Sequence, residues 1–212
     1  MLTIFNRKEL ITTMDMQRQA NIRSVLSANG IAYTVRTENL QGSSAFGGRS
    51  RGRSGSFGVD QTTTRAMLVT ILYRLEGEPE LEGTGTIRFS DVEDDAWYAK
   101  GVYWAAEKGI VNGDGEGNFM PNDPVTREQM AAIFHRYAGY KGYDVTAQGD
   151  LSAFTDAASV SDWAREPLIW AVDKGLINGM GDGTVNPRGT ATRAQTAAIL
   201  MRFCETVAKP QQ

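Results

Sequence analysis

Apolar residues recur at helical spacing after two Thr-Arg pairs. Behind Thr126 they are Met130, Ile133, Phe134 and Tyr137; behind Thr64 they are Leu68, Ile71, Leu72 and Leu75. Steps of three and four put each set on one face of an α-helix. Another helix is predicted over roughly Ala96–Lys108, with Asp94 or Asp95 as N-cap and Gly109 as the C-terminal stop. Between the two, residues 111–124 are rich in Gly, Asn, Asp and Pro and read as turns. Residues 2–11 and 31–37 are short and strand-like, and 16–29 has helical character, which suggests a small β-α-β element. Residues 41–58, QGSSAFGGRSRGRSGSFG, are low-complexity and predict a mobile loop or linker.

The helix-loop-helix pattern is a repeat. Shifting the chain by 66 aligns Trp97 with Trp163, Trp104 with Trp170, Gly109 with Gly175 and Asn112-Gly113 with Asn178-Gly179. The same shift aligns Thr126-Arg127 with Thr192-Arg193 and Arg136 with Arg202; Phe89-Ser90-Asp91 meets Phe154-Thr155-Asp156 at a shift of 65. A partial copy, residues 55–74, aligns with 117–136 at a shift of 62. Thr126 with Gln129 and Thr192 with Gln195 have capping-box spacing. One such hairpin cannot bury its own apolar face, whereas several copies packed together can. The expected architecture is all-α: helix-loop-helix repeats in one bundle. The expected segments are an appendage at 1–54, in which 16–31 could be a degenerate first helix, a partial repeat at 55–86, and full repeats at 87–150 and 151–212.

Composition narrows the chemistry. The chain has 212 residues, enough to bury a core without disulfides. Its single cysteine, Cys204, excludes an intramolecular disulfide and a Cys-based zinc site, and its single histidine, His135, excludes multi-histidine metal centres. Both fall at ordinary helix positions of the repeat. No stretch approaches the apolar length of a membrane-spanning helix, and the first ten residues lack a basic leader followed by an apolar run. Residues 1–60 carry eight Lys/Arg and four Asp/Glu, a net +4; the rest carries 14 and 21, a net −7. The run Arg49, Arg51, Arg53 could touch nucleic acid, but no aromatic array accompanies it, and a solvated linker is the simpler reading.

The Thr-Arg pairs are the sharpest oddity. An arginine in the first helical turn faces the positive end of the helix dipole, a placement that costs about 0.3–1 kcal/mol. Three copies, Arg65, Arg127 and Arg193, imply a compensating role. Free N–H groups at the helix start plus a guanidinium fork would hold a carboxylate or phosphate; an internal ion pair with Asp91 or Asp156 is the alternative. On the first reading, Arg127→Ala or Arg193→Ala would weaken binding with little change in thermal midpoint. Trp104 and Trp170 suit the core, while Trp97 and Trp163, beside loops, suit either packing or a sugar platform. The loop Asp114-Gly-Glu116-Gly-Asn118 has calcium-loop spacing, but repeat three replaces Asp114 by Met180 and no bidentate glutamate closes it. A plain turn accounts for it, and no metal or other cofactor is expected.

FSDVEDDAWYAKGVYWAAEKGIVNGDGEGNFMPNDPVTREQMAAIFHRYA and FTDAASVSDWAREPLIWAVDKGLINGMGDGTVNPRGTATRAQTAAILMRF resemble S-layer homology repeats. The shared features are the Phe-x-Asp opening, a Trp at the first helix, a Lys-Gly-Ile/Leu helix end, Asn-Gly in a Gly/Asp-rich loop, and Thr-Arg-x-Gln. The resemblance implies a three-pronged helical bundle that anchors proteins to the cell surface by binding a pyruvylated secondary cell-wall polysaccharide. It maps the family's arginine to Arg65, Arg127 and Arg193, its tryptophan to Trp97 and Trp163, its aspartate to Asp91 and Asp156, and its loop glycine to Gly113 and Gly179. A bacterial cell-surface location follows, with the wall polysaccharide as partner and neither nucleic acid nor membrane insertion. Two other readings are a structural or protein-interaction scaffold that has lost the glycan, and a two-carboxylate glycan hydrolase using Asp91 and Asp156. Nothing in the sequence places such a carboxylate pair at working distance, so no enzyme is expected.

Overall fold

The computed structural model describes residues 2–4, 12–13, 35–37, 60–81 and 87–208. Five α-helices dominate: α1 (Arg65–Leu75), α2 (Ala99–Glu107), α3 (Arg127–Tyr140), α4 (Asp162–Asp173) and α5 (Arg193–Thr206), with a 3₁₀ turn at Ala157–Ser159. The helical repeat architecture is the one expected. Near the N-terminus, β1 (Leu2–Ile4) pairs antiparallel with both β2 (Thr12–Thr13) and β3 (Val35–Thr37). The strands at both ends of the expected β-α-β unit are present, but a third joins them and β1 and β3 run antiparallel. The predicted helix at 16–29 and the linker at 41–58 lie outside the described residues.

Helices α3 and α5 start where the capping boxes predict. Thr126 accepts from Gln129 N at 3.2 Å while Gln129 Oε1 accepts from Thr126 N at 3.1 Å; Thr192 and Gln195 do the same. Thr64 caps α1 through Met67 N without a reciprocal bond. Helices α2 and α4 stop at Gly109 and Gly175, both at φ 67°. There the N–H of Ile110 reaches Ala105 O and that of Leu176 reaches Ala171 O, each at 2.8 Å, a left-handed stop that suits glycine.

Helix α2 begins at Ala99, three residues later than predicted, and Tyr98 is its N-cap. Residues Glu93–Ala99 form tight turns instead, with Ala96 N donating to Glu93 O and Ala99 N to Ala96 O. Trp97 therefore sits in a turn, whereas Trp163 is the second residue of α4, whose N-cap position, Ser161, makes no side-chain capping bond.

The core runs through all the helical elements. Trp104, Trp170, Phe119 and Phe134 are fully buried. Helix α1 packs on α2 through Tyr73 and Trp104, ring centroids 5.7 Å apart, and α3 packs on α4 through His135 and Trp170 at 5.2 Å. Phe203 of α5 joins Phe134 and Tyr137 of α3 at 5.3 and 5.5 Å. His135 and Cys204 are packing residues, and burial pushes the Cys204 thiol up to about 11.

At the centre, the residues before the three Thr-Arg pairs close a ring. Thr63 N donates to Ala191 O (2.9 Å), Ala191 N to Val125 O (3.2 Å), and Val125 N to Thr63 O (2.9 Å). Each repeat thus gives one bond and takes one, two residues before the start of its second helix.

Candidate functional site

The first two Thr-Arg pairs meet the loop of the following repeat and the third meets Gln61 of the first, and the expectation of free N–H groups fails there. Arg65 N donates to Asp123 O at 3.0 Å and Ala66 N to Pro121 O at 3.0 Å. Arg127 N donates to Gly189 O and Glu128 N to Pro187 O, both at 2.9 Å, and Arg193 N donates to Gln61 O at 2.8 Å. The side chains of Thr64, Thr126 and Thr192 take the N–H of the third helical residue, Met67, Gln129 and Gln195. The first turns of α1 and α3 are therefore satisfied by protein, and an anion gains no unclaimed amide there.

The guanidiniums grip the same loops. Arg65 is 7% exposed; its Nε donates to Phe119 O at 2.9 Å and its Nη2 to Asn112 O at 3.0 Å. Arg127 is 5% exposed; its Nε donates to Val185 O at 2.7 Å and its Nη2 to Asn178 O at 2.5 Å. Burial pulls both guanidinium pKa values below their ordinary level, and nearby aspartates partly offset this. Arg193, half-buried, reaches Gln61 Oε1 at 3.4 Å. Because Arg127 holds two carbonyls in a buried place, its removal would cost stability. A clean loss of binding at constant thermal midpoint is not the expected behaviour of Arg127→Ala.

The early aspartates complete the grip. Asp91 accepts from Phe119 N (2.7 Å) and Met120 N (2.6 Å); Asp156 accepts from Val185 N (2.9 Å) and Asn186 N (2.8 Å). One peptide unit is thus held on its N–H by aspartate and on its C=O by arginine: Phe119 in one loop, Val185 in the other. Arginine and aspartate meet through a shared backbone residue, an arrangement that residue spacing does not reveal. Met120 and Asn186, next along, both take positive φ. Gly113 and Gly179 lie where the phenylalanines of Phe-x-Asp cross the loop. A Cβ on Gly179 would stand 2.8 Å from Phe154 Cε1, and one on Gly113 would stand 2.8 Å from Phe89 Cε1.

A groove of about 240 Å³ opens beside the second of these loops. Arg127, Asn178, Gly179 and Met180 line one side, and Gln195 and Arg202 of α5 line the other. Arg202 Nη1 donates to Leu176 O at 3.1 Å. A guanidinium has five N–H donors. Two of Arg127's and one of Arg202's serve the loop, and both guanidiniums line the groove. Gln195 and Arg202 lie outside the sequence-predicted site, although the pairing of Arg136 with Arg202 in the repeat offered a signal for the latter. Trp97 and Trp163 are 60% and 52% exposed, in contrast to Trp104 and Trp170. Asp114 bonds within its own loop, to the N–H groups of Glu116 and Asn118 at 2.8 and 3.0 Å, as an Asx turn does.

Residues 88–131 and 153–197 match the model of the S-layer homology domain. The chain carries two S-layer homology domains. Their loops are the two that Arg65 and Arg127 hold. The chain is 34% identical over 157 residues to the surface-layer 125 kDa protein of Lysinibacillus sphaericus, covering 73% of this chain and 13% of that protein. It is 37% identical over 150 residues to an amylopullulanase of Thermoanaerobacterium thermosulfurigenes, covering 69% and 8%. It is 27% identical over 158 residues to a cellulosome-anchoring protein of Acetivibrio thermocellus, covering 71% and 34%. The chain thus spans only a small part of the length of these relatives. S-layer homology domains belong to the cell surface and the cell wall, and that is this chain's location. No described helix is long and apolar enough to cross a membrane.

Proposed function

We propose that these repeats anchor the protein to the cell wall by binding an anionic secondary polysaccharide, of the pyruvylated type, in the grooves between successive repeats. The groove between Arg127 and Arg202 carries this reading: two guanidiniums line one open cavity. A carboxylate fits such a fork of donors. The exposed indoles of Trp97 and Trp163 supply faces on which sugar rings stack. Asp91, Asp156, Gly113 and Gly179 serve the site by fixing the loops, and Arg65 and Arg193 occupy the corresponding places in the other repeats. The protein divides accordingly into an N-terminal appendage (1–54), a partial repeat (55–86) and two full repeats (87–150 and 151–212). The relatives' names, surface-layer and anchoring proteins among them, agree with a wall-binding role.

The test is a pull-down with purified wall sacculi, before and after hydrofluoric acid strips the polysaccharide from peptidoglycan. Binding that disappears on stripping supports the proposal. Absence of binding to untreated walls overturns it in favour of a protein-interaction scaffold.

A further inference from the structure

The second helix of a repeat has a face that receives the first helix of the next. On α1, Thr70 and Tyr73 make that contact: a Cβ on Gly101 of α2 would stand 3.2 Å from Thr70 Cα, and the Tyr73 ring packs on Trp104. On α3, Glu128 accepts from Ser161 N and Oγ, each at 3.0 Å, and the His135 ring packs edge-on against Trp170 of α4. The shifts of 62 and 66 carry Ala66 to Glu128 and Ala194, Val69 to Ala131 and Ala197, and Tyr73 to His135 and Met201. In α1 and α3, Ala66, Val69, Tyr73, Glu128 and Ala131 are buried. In α5, Ala194 is exposed, and Ala197 and Met201 are half-buried. Among the described residues no first helix lies along α5.

The partial copy offers no helix in register for that place. The shift of 62 takes α2 (Ala99–Glu107) to residues 37–45, TENLQGSSA, which open on the last residue of β3 and carry Leu40 as their one large apolar residue. The face of α5 differs accordingly. Where α3 sets the carboxylate of Glu128 against Ser161, α5 has the methyl group of Ala194. Where α1 and α3 set rings, α5 has Met201, a flexible thioether that adapts to the surface it meets. The stripe is also self-complementary. Ala194 and Cys204 stand equally far on either side of Ile199, and so do Ala197 and Met201. A second α5 laid antiparallel therefore sets the larger side chain of each pair level with an alanine of the other copy.

We infer that this face of α5 is a self-association surface that pairs with the α5 of a second copy, antiparallel and about a two-fold axis. Such a contact is isologous, so one event covers both open faces. It continues the packing that α1 gives α2 and α3 gives α4, with the helix supplied in trans. Gln195 and Arg202, which line the groove, lie on the neighbouring side of α5. One 14-residue helix against another is a small interface, so the dimer is weak and depends on concentration. On the wall-binding reading above, a pair presents every groove twice and gains avidity; the association itself does not depend on that reading.

The experiment is analytical ultracentrifugation of the full chain, without polymer, from roughly 1 μM to 1 mM. Wild type should pass from monomer to dimer within this range. Ala194→Glu and Met201→Glu should each raise the dissociation constant about tenfold or more, because each puts a carboxylate into the apolar contact. Ala194→Ser should change it little. Ala194 is exposed, so the thermal midpoint of Ala194→Glu, taken at the low-concentration end, should equal that of wild type. A wild type that stays monomeric throughout overturns the inference, and so does a dimer that both glutamate variants leave unchanged. A monomeric wild type whose midpoint falls in Ala194→Glu overturns it too, and assigns the cover of α5 to the chain itself.

Discussion

Gly179 is constrained by its neighbours rather than by its backbone angles. The ring of Phe154 approaches where a Cβ would be, at 2.8 Å, and Thr184 O closes the other side at 3.1 Å. Gly179→Ala should therefore destabilise the protein by about 1–3 kcal/mol, read as a fall in thermal midpoint. Gly113→Ala should cost more, since there the nearest atom is a backbone oxygen, Asn118 O, at 2.5 Å. The two buried tryptophans make a second comparison. Trp170 Nε1 donates to Asp144 O at 3.2 Å, whereas Trp104 Nε1 has no partner among the described residues. Trp170→Phe should cost roughly 1 kcal/mol more than Trp104→Phe in chemical denaturation, the worth of one hydrogen bond. The residue types at these places were legible in the sequence, and so was the burial of Trp104 and Trp170. What Arg65 and Arg127 hold was not. Their partners are carbonyls of the next repeat, and a backbone carbonyl has no letter in the sequence. The same blindness hid the occupied N–H groups at the starts of α1 and α3.

Helix ends were the most readable level. A side chain that caps lies within three residues of the group it caps, so Thr126-Gln129, Thr192-Gln195 and the stops at Gly109 and Gly175 could be found from spacing alone. The start of α2 could not, because no side chain caps it; Tyr98 is simply the last residue of a run of turns. The caps also differ in strength. Thr126→Ala should lower stability by about 1–2 kcal/mol and Thr64→Ala by less, since only Thr126 sits in a reciprocal box. A double comparison of thermal midpoints measures both. The ends of α1 and α3 are joined by a different device. Tyr137 Oη donates to Glu76 at 2.6 Å, and Lys141 Nζ bonds the other oxygen of Glu76 at 3.0 Å. Burial first, and then the neighbouring carboxylate, hold the Tyr137 hydroxyl protonated well above the usual tyrosine range. A raised pKa of this kind contributes stability that is complete below the unfolded value, about 10, and is lost as pH rises past it. The denaturation midpoint should fall between about pH 9 and pH 11, and Tyr137→Phe should flatten that fall.

Across the whole molecule the repeats are not beads on a string. Every Thr-Arg pair closes on a neighbouring repeat, and the ring of Thr63, Val125 and Ala191 needs all three contributors. Urea unfolding followed by circular dichroism and by tryptophan fluorescence should therefore give one coincident transition. A chain cut after residue 150 loses Ala191 and α5 together, and it should lose the cooperative transition rather than retain two-thirds of it. Repetition itself was plain from the aligned tryptophans and glycines. The order of joining was not, because each groove takes its arginine from one repeat and its loop from the next. The central ring also bears on how the protein meets other chains. Short strand-like segments ordinarily leave a row of unpaired amides along an outer margin, where a stranger can add itself and start a growing stack. Here the pairing curves back on its own beginning after three steps, so the hub presents no margin to extend. Crowded copies at a surface can then stand side by side without their centres recruiting one another.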